Sequence, residues 1–301
     1  MRTALSPTSV MTMFLSLISA FASGYAAEAA KPKEKAKENA YLRVIRDKDD
    51  DPISLDTAIV SFVSADGSRP GVVVDLVGAV HIADKSYYAA LNKRFAEYDA
   101  LLYELVAPEG TVIEAGGKRE GGSSPLSAFQ SLMKDALGLE FQLEQIDYTR
   151  KNFVHADMSP EEFMKSMTNR GESFLQIVAR MMGQGIAMQS KDPGKQDGAL
   201  LAALFSPNRE LQLKRAVADQ FAELGGVIRA LEGPDGSTLV TERNKKALAV
   251  LERELKAGKK HIGIFYGAAH LPDMERRLET DFKLKRDKET WFTAWDMKGK
   301  K

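Results

Sequence analysis

A tetrapeptide with the pattern glycine-x-x-histidine occurs twice in this sequence, as Gly78-Ala79-Val80-His81 and as Gly267-Ala268-Ala269-His270. Each copy follows an apolar, β-branched or aromatic run and precedes a stretch with helical spacing, so each histidine lies where a strand turns into a helix. Neutral imidazole is the commonest metal ligand in proteins, and open α/β sheets bind ligands at the carboxyl ends of their strands. The two copies therefore predict one site assembled from two distant segments.

A third candidate ligand is Glu104, which interrupts the apolar run 100–106. An ionised carboxylate in such a run is costly to bury without a cation or hydrogen-bond donors, and the alternative is a solvent-facing position on an edge strand. Two imidazoles and one carboxylate, here His81, His270 and Glu104, form a ligand set found in catalytic zinc sites that leaves one position for water. Zinc, manganese and cobalt all accept these ligands, so the pattern indicates a divalent cation without fixing its identity.

Further candidates lie between the two histidines in sequence. Arg243 begins the predicted helix that leads into the second motif, where it could hold Glu104, bind an oxyanion or a substrate carboxylate, or be an ordinary surface residue. His155 and Asp157 are two positions apart and share one face of an extended segment. Either could complete the site as a base, or both could only hydrogen-bond the start of the next helix. His261 follows two lysines at a strand entrance and is interpreted as structural.

The sequence shows none of the common signatures of an activated protein nucleophile. It contains no cysteine, no Gly-x-Ser-x-Gly elbow and no His-Glu-x-x-His helix. A bound metal ion is then the simplest source of a nucleophile, because it lowers the pKa of its water from 15.7 towards about 7. If Glu104 binds the ion it cannot also act as the base, which leaves His155 or Asp157 for that role.

The elements that must position these residues follow from the apolar periodicity. Strands are predicted at 55–62, 72–80, 100–106 and 261–267, with an edge strand at 291–295. Helices are predicted from Asp84, from a capping box at Ser159-Pro160-Glu161-Glu162, over 240–257, and from Pro272. This order predicts an α/β fold with a central mixed sheet, built from two strand–GxxH–helix halves with a helical insertion between them.

The domain organisation is predicted from composition. Arg2, the apolar stretch 10–22 and the small residues at 24–29 have the order of a secretory signal peptide, assigned to 1–26. Residues 27–40 read as a flexible linker, and 41–301 as a single domain with a helical cap at about 125–232. The glycine-rich segment 109–124 is predicted to be a loop. The polar segment 189–198 is predicted to interrupt the helical part of the chain.

Export to the periplasm or the extracellular space of a bacterial envelope is therefore expected. The apolar stretch 10–22 is shorter than the ~20 residues of a spanning helix, so no stable membrane anchor is expected after cleavage. The 42 basic and 42 acidic side chains balance, so no overall field attracts nucleic acid.

These motifs resemble those of the TraB/PrgY–GumN–TIKI superfamily. The resemblance rests on the two GxxH motifs, on Tyr103-Glu104-Leu105 and on Glu242-Arg243-Asn244. It covers about 72–106 and 240–295, and the helical middle only in outline. It implies a fold related to erythromycin esterase and ChaN-like proteins. By analogy with the TIKI members, it also implies a divalent-metal-dependent peptidase that uses the paired histidines, Glu104 and Arg243. The C-terminal membrane anchor of PrgY and TIKI members has no counterpart here.

Two functions are compatible with the sequence. The first is an exported metal-dependent hydrolase that acts on the amide bonds of a peptide or protein substrate. The second is a non-catalytic envelope protein that uses the same cleft to sequester a peptide. The two differ in a measurable way, because the enzyme must hold a divalent ion at a site that water can reach.

Overall fold

A computed structural model of the chain describes residues 40–111, 113, 136–173, 202–203, 205–218 and 236–299. The predicted signal peptide, the linker 27–39, the break 189–198 and most of the loop 109–124 lie outside the described residues. The described part of the predicted helical cap comprises 136–173, 202–203 and 205–218. Within the described part of the chain, no helix is both long and apolar enough to cross a membrane.

The described secondary structure alternates short helices with strands, and a π-helix over Thr238–Glu242 precedes one of the helices. Residues 209–218 are also helical. The strands are β1 (Leu42–Arg46), β2 (Pro52–Ser64), β3 (Val73–Ala79), β4 (Ile82–Ala83), β5 (Ala100–Tyr103), β6 (Glu140–Phe141), β7 (Phe153–His155), β8 (His261–Gly267) and β9 (Leu284–Asp296). The helices are α1 (Lys85–Phe95), α2 (Gln142–Gln145), α3 (Pro160–Asn169), α4 (Arg243–Lys256) and α5 (Leu271–Thr280).

The main sheet is mixed, which confirms the predicted α/β class. Its strand order is β1-β2-β3-β8-β5-β7, with β9 on β2. The strands β1, β2, β3 and β9 pair antiparallel, whereas β3, β8, β5 and β7 run parallel. The late strand β8 is inserted between β3 and β5, so the second half of the chain completes the parallel sheet begun by the first half.

Several predicted elements change in detail. The strand predicted at 100–106 ends at Tyr103 and lies between β8 and β7, so the edge-strand interpretation of Glu104 is wrong. The predicted helical middle also contributes β7 to the sheet. The last strand is an edge strand among the described residues, but β9 is 13 residues long and exposes the polar stretch 285–290, which discourages pairing with other chains.

Helix boundaries follow local chemistry. The capping box of α3 is confirmed, because the Ser159 hydroxyl accepts the Glu162 N–H at 3.1 Å and the Glu162 carboxylate accepts the Ser159 N–H at 2.9 Å. The helix predicted from 240 begins instead at Arg243, directly after the π-helix. π-helical turns are rare and are frequent at functional sites.

The first GxxH segment is fixed by its surroundings. A Cβ on Gly78 would lie 3.1 Å from the Ala58 carbonyl oxygen and 3.2 Å from that of Tyr41, because β1 and β3 meet end to end along β2 there. The hydroxyls of Tyr87 and Tyr88 in α1 donate to the carbonyls of Gly78 and Val80 at 3.0 and 3.1 Å. The strand end that carries His81 is therefore held from two sides.

Candidate functional site

The predicted site residues follow strands whose carboxyl ends meet at one edge of the sheet. Ala79 pairs with Gly267 across β3 and β8, and the Ala268 N–H donates to the Ala79 carbonyl at 3.1 Å. Tyr103, the last residue of β5, pairs with Phe265 on one side and with His155 on the other. The two GxxH motifs thus lie at the ends of adjacent parallel strands. Glu104 directly follows the end of β5 and lies beside the second motif.

Glu104 is a largely buried carboxylate, with a side-chain exposure of 12% and both oxygens engaged. Its Oε1 accepts from Arg243 Nη2 at 2.6 Å, and its Oε2 accepts from the backbone N–H of Gly267 at 2.7 Å. The Nε2 of His270 lies 3.6 Å from Oε1. Burial acts to raise the pKa of Glu104, but interactions with His270, Arg243, His81 and the Gly267 N–H outweigh it and hold that pKa well below its ordinary value. The carboxylate is therefore ionised at neutral pH.

Arg243 links Glu104 to a second buried carboxylate. Its Nε and Nη2 donate to the two oxygens of Asp157 at 2.9 and 2.6 Å, a bidentate pair. Asp157 has a side-chain exposure of 0%, and that of Arg243 is 9%. Burial acts to lower the pKa of Arg243, but Asp157 and Glu104 raise it above its ordinary value. The three groups together carry one net negative charge.

His270 is a buried imidazole held on both sides. Its Nδ1 lies 2.8 Å from the Oδ1 of Asn244, and its Nε2 lies 3.5 Å from Arg243 Nη1. Burial, Arg243 and His81 lower the pKa of His270 more than Glu104 and Asp157 raise it. The ring is therefore neutral at neutral pH, the form in which histidine binds a metal or accepts a proton.

His81 is more exposed to solvent than Glu104 and His270. The residue is exposed, and its Nδ1 lies 3.2 Å from the Oε1 of Gln142. Its imidazole is near enough to Glu104 and His270 to act to lower the pKa of both. The sequence did not single out Gln142, and Asn244 entered it only as part of the Glu242-Arg243-Asn244 triplet.

Asp157 and His155 make different hydrogen bonds. Both Asp157 oxygens bind Arg243, and Oδ1 also accepts the Met158 N–H at 2.8 Å, so Asp157 is a partner of Arg243 rather than an available base. His155 Nε2 lies 2.6 Å from the Leu105 carbonyl. Because a carbonyl only accepts, Nε2 donates this hydrogen bond, and in the neutral form of the ring the lone pair lies on Nδ1.

A surface cavity of about 520 Å³ adjoins this pair. His155 and Asp157 line it together with the first turn of α3 and with one face of α4, which contributes Lys246, Val250 and Arg253. Lys246 Nζ lies 2.7 Å from Glu162 across the cavity wall. The cavity therefore combines charged and apolar surface, as a site for a polar chain molecule would.

His261 lies at the opposite end of the sheet from these residues. It pairs with Val73 where β3 and β8 begin, and its Nε2 lies 3.6 Å from the buried carboxylate of Asp75. Its placement agrees with the structural role expected from sequence.

The donor atoms of His270 and Glu104 are placed so that a divalent cation could bind between them. Neighbouring ligand atoms on a tetrahedral ion lie about 3.4 Å apart when each bond is about 2.1 Å, close to the 3.6 Å between His270 Nε2 and Glu104 Oε1. Each carboxylate oxygen has a second lone pair, so Oε1 can bind Arg243 and an ion together. Among the described residues, no three His, Cys, Asp or Glu side chains are already grouped to hold a metal. The donor chemistry fits an ion, and His81 would have to approach to complete it.

Comparison of the chain with protein-family models, curated proteins and solved structures found no match. The function of the site is therefore inferred from its geometry together with the motifs described above.

Proposed function

We propose that the protein is an exported, divalent-metal-dependent hydrolase that cleaves amide bonds of a peptide or protein. The observation that carries the proposal is the convergence of two GxxH histidines and a buried, ionised carboxylate at one sheet edge. Nothing in packing requires a histidine at both strand ends. The choice of amide over ester bonds follows the resemblance to the TIKI members.

His270 and Glu104 would hold the ion through Nε2 and Oε1, with His81 as the third ligand. A divalent ion supplies Lewis acidity and a water of lowered pKa when it is bound. The chain provides the conditions for this chemistry, because Glu104 stays ionised and the His270 ring stays neutral.

Arg243 fixes the direction of the Glu104 carboxylate, and Asp157 fixes Arg243 in turn. The single negative charge of this trio favours a cation next to it. His155, whose Nδ1 keeps a lone pair, is the candidate base for a proton of the substrate or of water. We assign the peptide to the cavity that His155 and Asp157 line.

The test is made on purified protein stripped with a chelator and then supplied with zinc, manganese or cobalt separately. A mixed peptide library is screened by mass spectrometry with the wild type, His270→Ala and His261→Ala. We expect products only in the presence of a metal, loss of products in His270→Ala, and wild-type behaviour in His261→Ala. Products that persist under chelation, or equal metal content in wild type and His270→Ala, would overturn the proposal.

The alternative is a non-catalytic protein that sequesters a peptide in the same cavity. One observation favours it: the guanidinium of Arg243 already supplies a positive charge 2.6 Å from Glu104. Peptide binding with no product under any of the three metals would establish this function instead.

Export is proposed from the sequence of the first 26 residues. N-terminal sequencing of the protein from an envelope fraction should begin near residue 27. Intact Met1 on protein from the cytoplasmic fraction would refute export.

A further inference from the structure

Both GxxH histidines are held in the same way by an amide-bearing residue from another segment. For His81, the backbone N–H of Gln142 donates to the His81 carbonyl at 3.0 Å, and Gln142 Oε1 lies 3.2 Å from Nδ1. For His270, the Nδ2 of Asn244 donates to the His270 carbonyl at 3.0 Å, and Asn244 Oδ1 lies 2.8 Å from Nδ1. One residue thus contacts both the carbonyl and the Nδ1 of each histidine.

The position of the proton on His270 follows from the partners of Asn244. The Asn244 amide nitrogen donates to the His270 carbonyl and to Asp273 Oδ2, at 3.0 and 2.9 Å. Both partners only accept at neutral pH, so the amide cannot rotate by 180° without facing acceptors with its oxygen. Asn244 is fully buried, so water cannot take over these bonds. Its Oδ1 must therefore face His270, whose Nδ1 carries the proton and whose Nε2 keeps the lone pair.

Gln142 makes a similar contact with His81, under a weaker constraint. Its Nε2 donates to the Tyr148 hydroxyl at 2.8 Å while its Oε1 faces His81, but a hydroxyl can also donate and so does not by itself exclude the reverse orientation of the amide. Gln142 is buried at 5% exposure, and the Tyr148 ring packs edge-on against Tyr103 at 5.1 Å. Gln142 follows its histidine by 61 positions, whereas Asn244 precedes its own by 26. The match is therefore a property of the folded site and not of a repeated motif.

We propose that Asn244 is a positioning residue that fixes His270 as the Nδ1–H tautomer, and that Gln142 favours the same tautomer of His81. Both rings then present an unprotonated Nε2, and the Nε2 of His270 is directed at Glu104. Metal-binding histidines commonly donate their other N–H to a fixed acceptor, which sets both tautomer and ring direction. Only the use of the two Nε2 atoms rests on the proposed metal-dependent function, since the tautomers are properties of the chain itself.

The tautomers are measured directly by long-range ¹H–¹⁵N correlation on protein labelled with ¹⁵N-histidine. The chain has four histidines, so the spectrum is simple to assign with single His→Gln variants. Spectra are recorded with a chelator at about pH 8, where an imidazole of ordinary pKa near 6.5 is neutral. We expect the Nδ1–H pattern for His81 and His270 in the wild type.

Asn244→Ala should remove the Nδ1–H preference of His270 and leave His81 unchanged, and Gln142→Ala should do the reverse. Asn152→Ala is the matched control, because its amide nitrogen likewise donates two hydrogen bonds, to the backbone carbonyls of Phe95 and Tyr98, outside the site. It should change neither tautomer. An Nδ1–H pattern at His270 that survives Asn244→Ala would overturn the inference.

A second variant covers the case in which Asn244→Ala does not fold. Asp273→Asn replaces an acceptor-only group by an amide that also donates, so one of the two acceptors that orient the Asn244 amide is lost and only the His270 carbonyl remains. The Nδ1–H preference of His270 should then weaken, and a preference equal to that of the wild type would count against the proposal. Calorimetry with zinc adds a readout for the metal, with an affinity loss of about 10–100-fold expected in Asn244→Ala. A tautomer change without binding of zinc, manganese or cobalt by the wild type would support this inference and overturn the metal in the proposed function.

Discussion

The guanidinium of Arg243 lies 2.6 Å from Glu104 Oε1, although 139 positions separate the two residues. The contact exists because β8 enters the sheet between β3 and β5, which brings the helix before β8 over the end of β5. Arg243 is the first residue of that helix, α4, and the π-helix before it contributes the Leu239 carbonyl as a further acceptor at 3.4 Å. The ion pair between Arg243 and Glu104 thus connects two distant parts of the chain at the site.

We predict that Arg243→Ala destabilises the fold as well as the site. The change leaves Glu104 and Asp157 as two buried carboxylates without their cation, and breaking a buried ion pair in this way costs about 3–5 kcal/mol. The free energy of unfolding, measured with urea, should fall by that amount. Arg253→Ala on the exposed face of α4 is the control, with a change expected within about 0.5 kcal/mol. Equal stability of the two variants would contradict the buried trio.

A pH-dependent contribution to stability is expected from Asp75 at the other end of the sheet. Its Oδ2 accepts from Arg94 and from the Tyr98 hydroxyl at 2.7 and 2.8 Å. Burial raises the pKa of Asp75, but the hydrogen bonds and the charge of Arg94 outweigh it and lower that pKa. The unfolded chain, with an ordinary pKa of about 3.9, then binds more protons in acid than the folded chain does.

The free energy of unfolding should therefore fall as the pH drops below about 4, through the lowered pKa of Asp75 in the folded state. Asp75→Asn should be less stable at neutral pH and should show a flatter dependence in acid. Asp287→Asn, on the exposed stretch of β9, is the control and should keep the wild-type slope. Parallel acid slopes for wild type and Asp75→Asn would show that this carboxylate is not held as described.

The sequence predicted the elements that local periodicity defines. The apolar runs before the two GxxH motifs and the run before Glu104 gave three neighbouring strands of the sheet, and the capping box gave the start of α3 correctly. Because strand ends of a parallel sheet meet at one edge, these strands place His270 beside Glu104 and His81 after the end of the neighbouring strand.

Other features depend on long-range pairing that a single sequence does not encode locally. The insertion of β8 between β3 and β5 decides which strand ends are neighbours, and it has no signature in composition. Gln142 sits in a four-residue helix with no distinguishing pattern, so its contact with His81 was not predicted. Asp157 was considered as a base because its two-residue spacing from His155 placed both on one face of an extended segment. Its bidentate pair with Arg243 follows only from the three-dimensional structure.

The two motif glycines should differ in their tolerance of a side chain. A Cβ on Gly78 would meet two backbone oxygens at 3.1 and 3.2 Å, and neither can move without disturbing β1 or β2. A Cβ on Gly267 would meet Glu104 Oε2 at 3.4 Å and His270 Cδ2 at 3.8 Å, which are ordinary contacts. Gly78→Ala should therefore cost about 1–3 kcal/mol of folding free energy, and Gly267→Ala less. Thermal and urea unfolding of both variants check this order, and a reversed order would contradict the end-to-end meeting of β1 and β3.

A double-mutant cycle should detect direct coupling between Glu104 and Arg243. Both oxygens of Glu104 accept from donors, Arg243 Nη2 and the Gly267 N–H. In Glu104→Gln the amide group must therefore face one donor with another donor, which leaves a buried polar group unsatisfied at a cost of about 1–3 kcal/mol. Arg243→Met removes the Nη2 donor. The amide group introduced by Glu104→Gln then no longer has to face a donor with its own N–H group.

The double variant Glu104→Gln/Arg243→Met should consequently be more stable than the sum of the single changes predicts, by about 0.5–3 kcal/mol. The free energies of unfolding of the four proteins are measured in urea under one set of conditions, with a chelator present so that a bound ion does not contribute. Glu104→Gln combined with Arg94→Met is the control cycle, since Arg94 binds Asp75 at the opposite end of the sheet. That pair should be additive within about 0.5 kcal/mol because the two sites share no partner. Additivity in both cycles would mean that the 2.6 Å contact between Arg243 and Glu104 contributes nothing to the fold in solution.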